Sequence, residues 1–384
     1  MEDKRTHLLV APVVALLALG VVVLMSTSVF IEGRIDMYFD WRKHFLWVGV
    51  GIAACVFFAS VDYRKWRQYS WPAYAFVCVL LVLCFVPIIG QEKNGAARWI
   101  GLEVIGLSSV SFQPSELAKL VLAIVLAAWC SRHVDKQKNF LHGFVYPLAI
   151  VGLPIALIAL EMDLGSAALI GLVSILTIFV AGARIHYMLG SVVLGLGALA
   201  LAVWTNPNRM ERIFAYLDLE NHASDLGLQQ WRALIALGSG GISGLGLGNG
   251  REKLMHMPYA HTDFIFPIVG EELGYVATTL VLCAFAALLV GGILIVQKAP
   301  DRFGKLLGFG LLMMILVQAL LNIGVTTAVL PNKGLPLPFV SYGGSNLVMC
   351  LSAVGLLISI SRFGGAARAV PSTEIPSRAM LRGV

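Results

Sequence analysis

The chain has 384 residues, 58% of them hydrophobic and only 13% charged, with a mean hydropathy of +0.82. A soluble domain carries about twice that charged fraction, which excludes a water-soluble globular protein. The net charge of +6 does not point to nucleic acid, because the basic residues sit in short loops between apolar runs.

A helix needs about 20 mostly apolar residues to cross hydrocarbon. Ten such windows occur, at roughly 8–30, 45–61, 72–90, 116–131, 144–160, 164–183, 186–205, 267–296, 304–328 and 345–361. The predicted fold is therefore an all-α polytopic membrane protein with ten transmembrane helices in one domain over 1–361. A large loop, about 206–266, separates helices seven and eight. The first run is too long for a signal-peptide core and lacks a cleavage site, so it is read as a retained span. The fifth and sixth windows are separated only by residues 161–163, and fusing them would invert everything downstream. Charge decides. The loops on the side of both termini hold 16 Lys and Arg, counting Lys305 at a span edge, against 6 in the short loops opposite. Under the positive-inside rule both termini are cytoplasmic and the long loop faces outward. The tail 362–384, rich in Arg, Pro and Ser, is expected to be disordered. All six cysteines (Cys55, Cys78, Cys84, Cys130, Cys283, Cys350) lie in apolar runs. They read as small packing residues rather than a disulfide framework or metal site.

Polar groups recur at the predicted outer ends of the spans. NGAARWI (94–100) brings Arg98 beside Trp99, a pairing that also suits a plain interfacial anchor. QPSELAK (113–119) follows, with Pro114 at a helix start and Glu116 and Lys119 three residues apart on one face. That pair is either self-neutralising or part of a site, since ionisable residues at membrane depth mark function by default. In EMDLGS (161–166), Asp163 is better placed to cap the next helix than to catalyse. Arg209 and Arg212, just after span seven, are a basic anchor or a guanidinium clamp for phosphate.

The long loop is expected to hold an amphipathic helix over 228–237 and then a glycine-rich turn over 238–250. It ends in AHTDFIFPIVGEELG (260–274), where Asp263 sits beside His261 at the point where polar loop becomes apolar helix. A carboxylate at such a boundary is costly to keep charged. His261 reads as a base, a metal ligand or, more often for a lone histidine, a structural residue. Last comes LPNKGLPLPFVSYGGSN (330–346), a loop shaped by Pro and Gly whose polar points include Lys333 and Ser341. Irregular backbone of that kind is tolerated at membrane depth only when protein or a water-filled cavity surrounds it.

In this order, NGxxRW, QPSELAK, DLGS, RxxR, HTDFIF with GEELG, and LPLPFVSYGGS resemble the SEDS family of peptidoglycan polymerases over about 71–362. The resemblance implies a glycosyltransferase that polymerises lipid II into glycan strands beside a class B penicillin-binding protein and other divisome membrane proteins. It places the protein in the bacterial inner membrane, and Asp263 matches the family's essential acidic residue. Lys333-Gly334 and GEELGY look more like the division members than the elongation members. The chain departs from the family pattern at Met162, Leu219, Arg232, Tyr259 and Asn346, which bears on loop detail and partner choice.

The chemistry agrees with the implied activity. A polymerase of this substrate needs a base within reach of an acceptor 4-hydroxyl, for which Asp263 is the candidate. It also needs positive charge against the diphosphate, to be drawn from Arg98, Lys119, Arg209, Arg212 and Lys333. A divalent cation, Mg or Mn, would serve the same electrostatics, but no ligand cluster in the sequence demands one. Two rival readings are a lipid II flippase using Glu116, Lys119 and Glu271 as relay groups, and a non-catalytic scaffold. The want of a clear internal repeat weighs against a transporter.

Overall fold

The computed structural model describes residues 2–28, 39–87, 89–93, 96–101, 111–254 and 262–366. The fold is all-helical and polytopic. Its helices are α1 (Glu2–Ser28), α2 (Phe39–Ser60), α3 (Ser70–Leu83), α4 (Pro114–Arg132), α5 (Tyr146–Leu160), α6 (Leu164–Val180), α7 (Ile185–Trp204), α8 (Pro207–Leu217), α9 (Leu228–Ser239), α10 (Ile265–Lys298), α11 (Arg302–Thr326) and α12 (Gly344–Ala366). Among the described residues, eight helices are long and apolar enough to span a membrane, and α3 and α6 are shorter apolar helices. Together these correspond to the ten predicted windows.

The differences have local causes. The third window extends to residue 90, but α3 ends at Leu83. Pro87 follows, and Gly90 opens a small antiparallel sheet of β1 (Gly90–Lys93), β2 (Ala96–Gly101) and β3 (Ser111–Phe112), in the order β1-β2-β3. Proline removes a donor and cannot continue the helix. This sheet was not predicted. The tenth window ends at 361, whereas α12 continues to Ala366; the rest of the predicted tail, 367–384, lies outside the described residues. The predicted helix over 228–237 is α9.

Helix α8 was also missed, although its apolar residues Met210, Ile213, Phe214 and Leu217 recur at i, i+3, i+4 and i+7, the signature of one apolar face. Its two arginines, read as a basic anchor or a phosphate clamp, lie on this helix.

Burial separates a centre from a periphery. In α4, 83% of the spanning window is buried within the protein, against 11% for α2 and for α7. The apolar side chains of α2 and α7 face outward, as lipid contact requires. Helices α4, α6, α10, α11 and α12 contribute most of one continuous apolar core. Their polar ends and the loop over 330–346 frame the candidate site.

Helix α10 is broken. At Gly274 the backbone reaches φ 77 and ψ −175, a left-handed excursion open to glycine but not to residues with a Cβ. The break leaves residues 265–273 as a short helical piece with Asp263 just ahead of it.

Candidate active site

Asp263 is held from behind by its backbone. Asn322, buried in α11, donates its Nδ2 to the Asp263 carbonyl at 2.7 Å and to the Leu335 carbonyl at 2.7 Å. One side chain thus ties the Asp263 turn to the loop that carries Lys333. Gly334 lies directly on the carboxylate, because a Cβ built there would stand 2.6 Å from Asp263 Oδ2. No hydrogen bond reaches the carboxylate itself among the described residues, in contrast to its well-anchored backbone.

The tight turn over 161–163 faces this carboxylate. Asp163 caps α6, its Oδ1 accepting from Ser166 N at 3.1 Å, and it also accepts from Gln113 Nε2 at 3.2 Å. Capping was the predicted role. Met162, between the two acids, has φ 66, a strained value for a side chain of its size. The turn is gripped by two guanidinium groups. Arg98 donates to the Met162 carbonyl at 3.1 Å, and Arg209 donates to its sulfur at 3.0 Å and to the Ala202 carbonyl at 2.9 Å.

The electrostatics of the cluster follow. Burial raises the Asp263 carboxyl to about 6, with the Asp163 charge adding to the rise and Arg98 opposing it. Glu161, buried beside the turn, is pushed up to about 8, chiefly by burial, with Cys84 opposing and Asp163 adding. It is therefore a neutral acid at neutral pH. Burial lowers the Lys333 ammonium, and Arg209 and Arg212 lower it further, against a partial rescue by Asp163. Arg98 and Asp163 thus act on both Asp263 and Lys333, and Arg209 and Arg212 act on Lys333, so that four cations, Arg98, Arg209, Arg212 and Lys333, gather with two acids, Asp163 and Asp263. Among the described residues none of the four makes an ion pair with either acid. An excess of positive charge of this kind is what a bound anion would neutralise.

The predicted residues do not all gather here. Arg98, Arg209, Arg212, Lys333 and Asp263 do. Glu116 and Lys119 are buried in the helix bundle, their charges 2.8 Å apart. Lys119 Nζ also donates to Gln318 at 2.8 Å, and Asn346 Nδ2 donates to Glu116 at 2.9 Å. Neither charge is among those acting on Asp263 or Lys333. They line a small cavity with Gln318, Asn346 and Cys350. Ser341 is turned into its own loop, where Oγ accepts from Leu337 N at 2.8 Å. His261 lies outside the described residues. Sequence reasoning passed over Asn322 and Gln318, although each is a lone amide within the apolar run of α11. Among the described residues no three His, Cys, Asp or Glu side chains come together to hold a metal ion.

A family profile spanning FtsW, RodA and SpoVE, described as "Cell cycle protein", matches residues 6–365. The chain belongs to this family, the SEDS proteins. A Geobacter metallireducens relative named "Probable peptidoglycan glycosyltransferase FtsW" is 39% identical over 350 residues, covering 91% of this chain and 92% of the relative. Stage V sporulation protein E of Bacillus subtilis is 39% identical over 371 residues, covering 94% and 99%. Among solved structures, one described as a peptidoglycan synthase complex coordinating polymerization and crosslinking superposes with a TM-score of 0.73 at 28% identity, covering 93% of this chain and 97% of that one. The Thermus thermophilus rod shape determining protein RodA superposes with a TM-score of 0.68 at 27% identity, covering 92% and 95%. This SEDS member is accordingly a multi-pass membrane protein with the family's fold.

Proposed function

We propose that this SEDS peptidoglycan glycosyltransferase polymerises lipid II into glycan strands during septal wall synthesis, with Asp263 as the general base. The observation that carries the reading is an Asp263 carboxylate that accepts no hydrogen bond among the described residues, with Arg98 acting on it and with Lys333, next to the Gly334 that abuts it, acted on in turn by Arg98, Arg209 and Arg212. In the reaction, Asp263 accepts the proton of the acceptor sugar's 4-hydroxyl. The freed oxygen forms a bond to the anomeric carbon of the donor as the bond to the lipid diphosphate breaks. The electron pair leaves with the diphosphate, whose growing charge is met by Arg98, Arg209, Arg212 and Lys333. Preorganised cations in a site that excludes water are worth more than the same charges in bulk solvent.

The substrate class follows from the relatives' names and from the chemistry. A lipid-linked diphosphate offers the anion that the cations lack. The division role is supported by the relatives named FtsW, and a class B penicillin-binding protein is the proposed partner because the similar synthase complex couples polymerization to crosslinking. Other divisome membrane proteins are further proposed partners. We read residues 1–361 as one transmembrane domain of the bacterial inner membrane, with both termini cytoplasmic and 206–266 outside, where the lipid-linked sugar is presented.

The test is polymerisation of purified lipid II in detergent by the full chain, with no bilayer to cross. Asp263→Asn keeps size and most polarity but cannot take the proton. A loss of about 10²–10⁴-fold is expected with folding intact. Near-normal chain synthesis by well-folded Asp263→Asn would remove the residue from the mechanism.

A further inference from the structure

A second buried ionic cluster lies at the other end of the short helical piece that Asp263 precedes. Glu272 is fully buried and pairs with Lys253 at 2.5 Å, the two side chains being 0% and 1% exposed. Ser26, in the last turn of α1, lies 2.8 Å from both Glu272 oxygens and accepts from Lys253 Nζ at 2.6 Å. The amide of Gly248 donates to Glu272 Oε2 at 3.2 Å. Next door, the Glu271 carboxylate accepts from the amides of Arg251 at 2.6 Å and Glu252 at 3.2 Å.

These contacts gather at the break in α10. Where Gly274 interrupts the helix, the glycine-rich loop supplies the missing partners. Leu245 N and Gly246 N donate to the carbonyls of Glu271 and Glu272, each at 2.9 Å, and Tyr275 N donates to the Gly241 carbonyl at 2.9 Å. A broken span must satisfy its freed backbone groups within the protein, and this loop does so. Backbone hydrogen bonds alone would accomplish that. They do not require a carboxylate, an ammonium and a hydroxyl from three separate elements, at a desolvation cost of several kcal/mol per ion by order of magnitude.

We infer that the Lys253–Glu272–Ser26 clasp is a positioning device that fixes Asp263 relative to α1. The chain between Lys253 and Glu272 is closed into a ring by the ion pair, and Asp263 lies on that ring. Residues 265–273 form a rigid lever of about 14 Å at 1.5 Å per residue, with the clasp at one end and Asp263 at the other. A small rotation at the clasp is carried along the lever to the carboxylate. Misplacing a reacting group by about 1 Å costs on the order of 10²-fold in rate. Lys253 and Glu272 do not touch substrate in this scheme. The inference rests on the general-base reading of Asp263.

The test compares Lys253→Met, Glu272→Gln, their double variant, Ser26→Ala and Asp263→Asn in the purified full chain. Detergent unfolding temperature, KM for lipid II and kcat of polymerisation are measured. Each single charge change strands a buried ion and lowers the unfolding temperature. The double variant strands none, so its unfolding temperature recovers toward wild type. If the clasp positions Asp263, kcat of the double variant stays about 10²-fold low, with KM within about threefold. Recovery of kcat together with the unfolding temperature overturns the proposal, since the pair then serves folding alone. Ser26→Ala keeps the ion pair and is expected to lower kcat about tenfold at unchanged KM. Wild-type kcat in that variant overturns the clasp even where the charge variants do not fold. Retained polymerisation by Asp263→Asn would instead be a failure of the general-base reading, whatever the clasp variants do.

Discussion

The Glu116–Lys119 pair and the Asp263 cluster both set charges in low-dielectric surroundings, and they differ in closure. Lys119 is matched by Glu116 and Gln318, and Glu116 is matched in turn by Lys119 and Asn346. Around Asp263 the backbone is pinned by Asn322, while the carboxylate and the Lys333 ammonium meet no protein counter-ion among the described residues. A closed network offsets its desolvation internally and holds helices together. An open one leaves charge to be met from outside the protein, which the proposed lipid-linked diphosphate would do.

Single removals from the closed network are the largest expected effects. Lys119→Met or Glu116→Gln should destabilise the protein by about 3–5 kcal/mol, because each leaves an uncompensated buried partner. The double change should cost less than either single change plus the other. Denaturation of the purified variants in detergent reads this directly. Two independent, additive losses would mean that the pair is not coupled and that this network is no more closed than the Asp263 cluster.

At the open cluster, rate rather than stability should respond. Gly334→Ala places a methyl group 2.6 Å from Asp263 Oδ2 and must displace the carboxylate. Polymerisation should fall about 10²-fold, with an unfolding temperature near that of wild type. Unchanged turnover would show that the position of the carboxylate does not matter to the reaction.

Acidity gives a smaller and graded effect. A base must be ionised to accept a proton, and burial raises Asp263 to about 6. The acid limb of kcat/KM should therefore bend near pH 6, so that lowering the pH from 7 to 5 costs about tenfold. An acid limb near 4, where an ordinary carboxylate titrates, would indicate a solvated Asp263 or another base. The smallest expected effect belongs to Arg212→Ala. Losing one charge-assisted contact to the diphosphate should raise KM about three- to tenfold, with kcat less affected. Salt should narrow the difference from wild type, because screening weakens exposed charges.

Legibility along the chain followed the range of the interactions involved. The spans were readable because about 20 apolar residues in a row have one low-energy state in hydrocarbon. Asp163 was readable as a cap because capping is settled within three residues, as its bond to Ser166 N shows. Asp263 was readable as a carboxylate at an apolar boundary from its immediate neighbours alone. The sheet over 90–112 was not readable, since its strands are too short to show a period. Asn322 and Gln318 looked like isolated amides because their partners, Leu335 and Lys119, are distant in sequence or on another helix.

By itself the sequence determined the solvent, the number of spans, the family and the carboxylate most worth testing, because hydropathy and local motifs depend on neighbours in the chain. Only the tertiary structure decided which charges meet. Glu116 and Asp263 are both acids at span ends, and nothing in their local sequence says that one is matched and the other is not. That difference arises when α11, α12 and the loop over 330–346 pack together. Coulomb energy depends on distance and surroundings in space, and neither is a property of position along the chain.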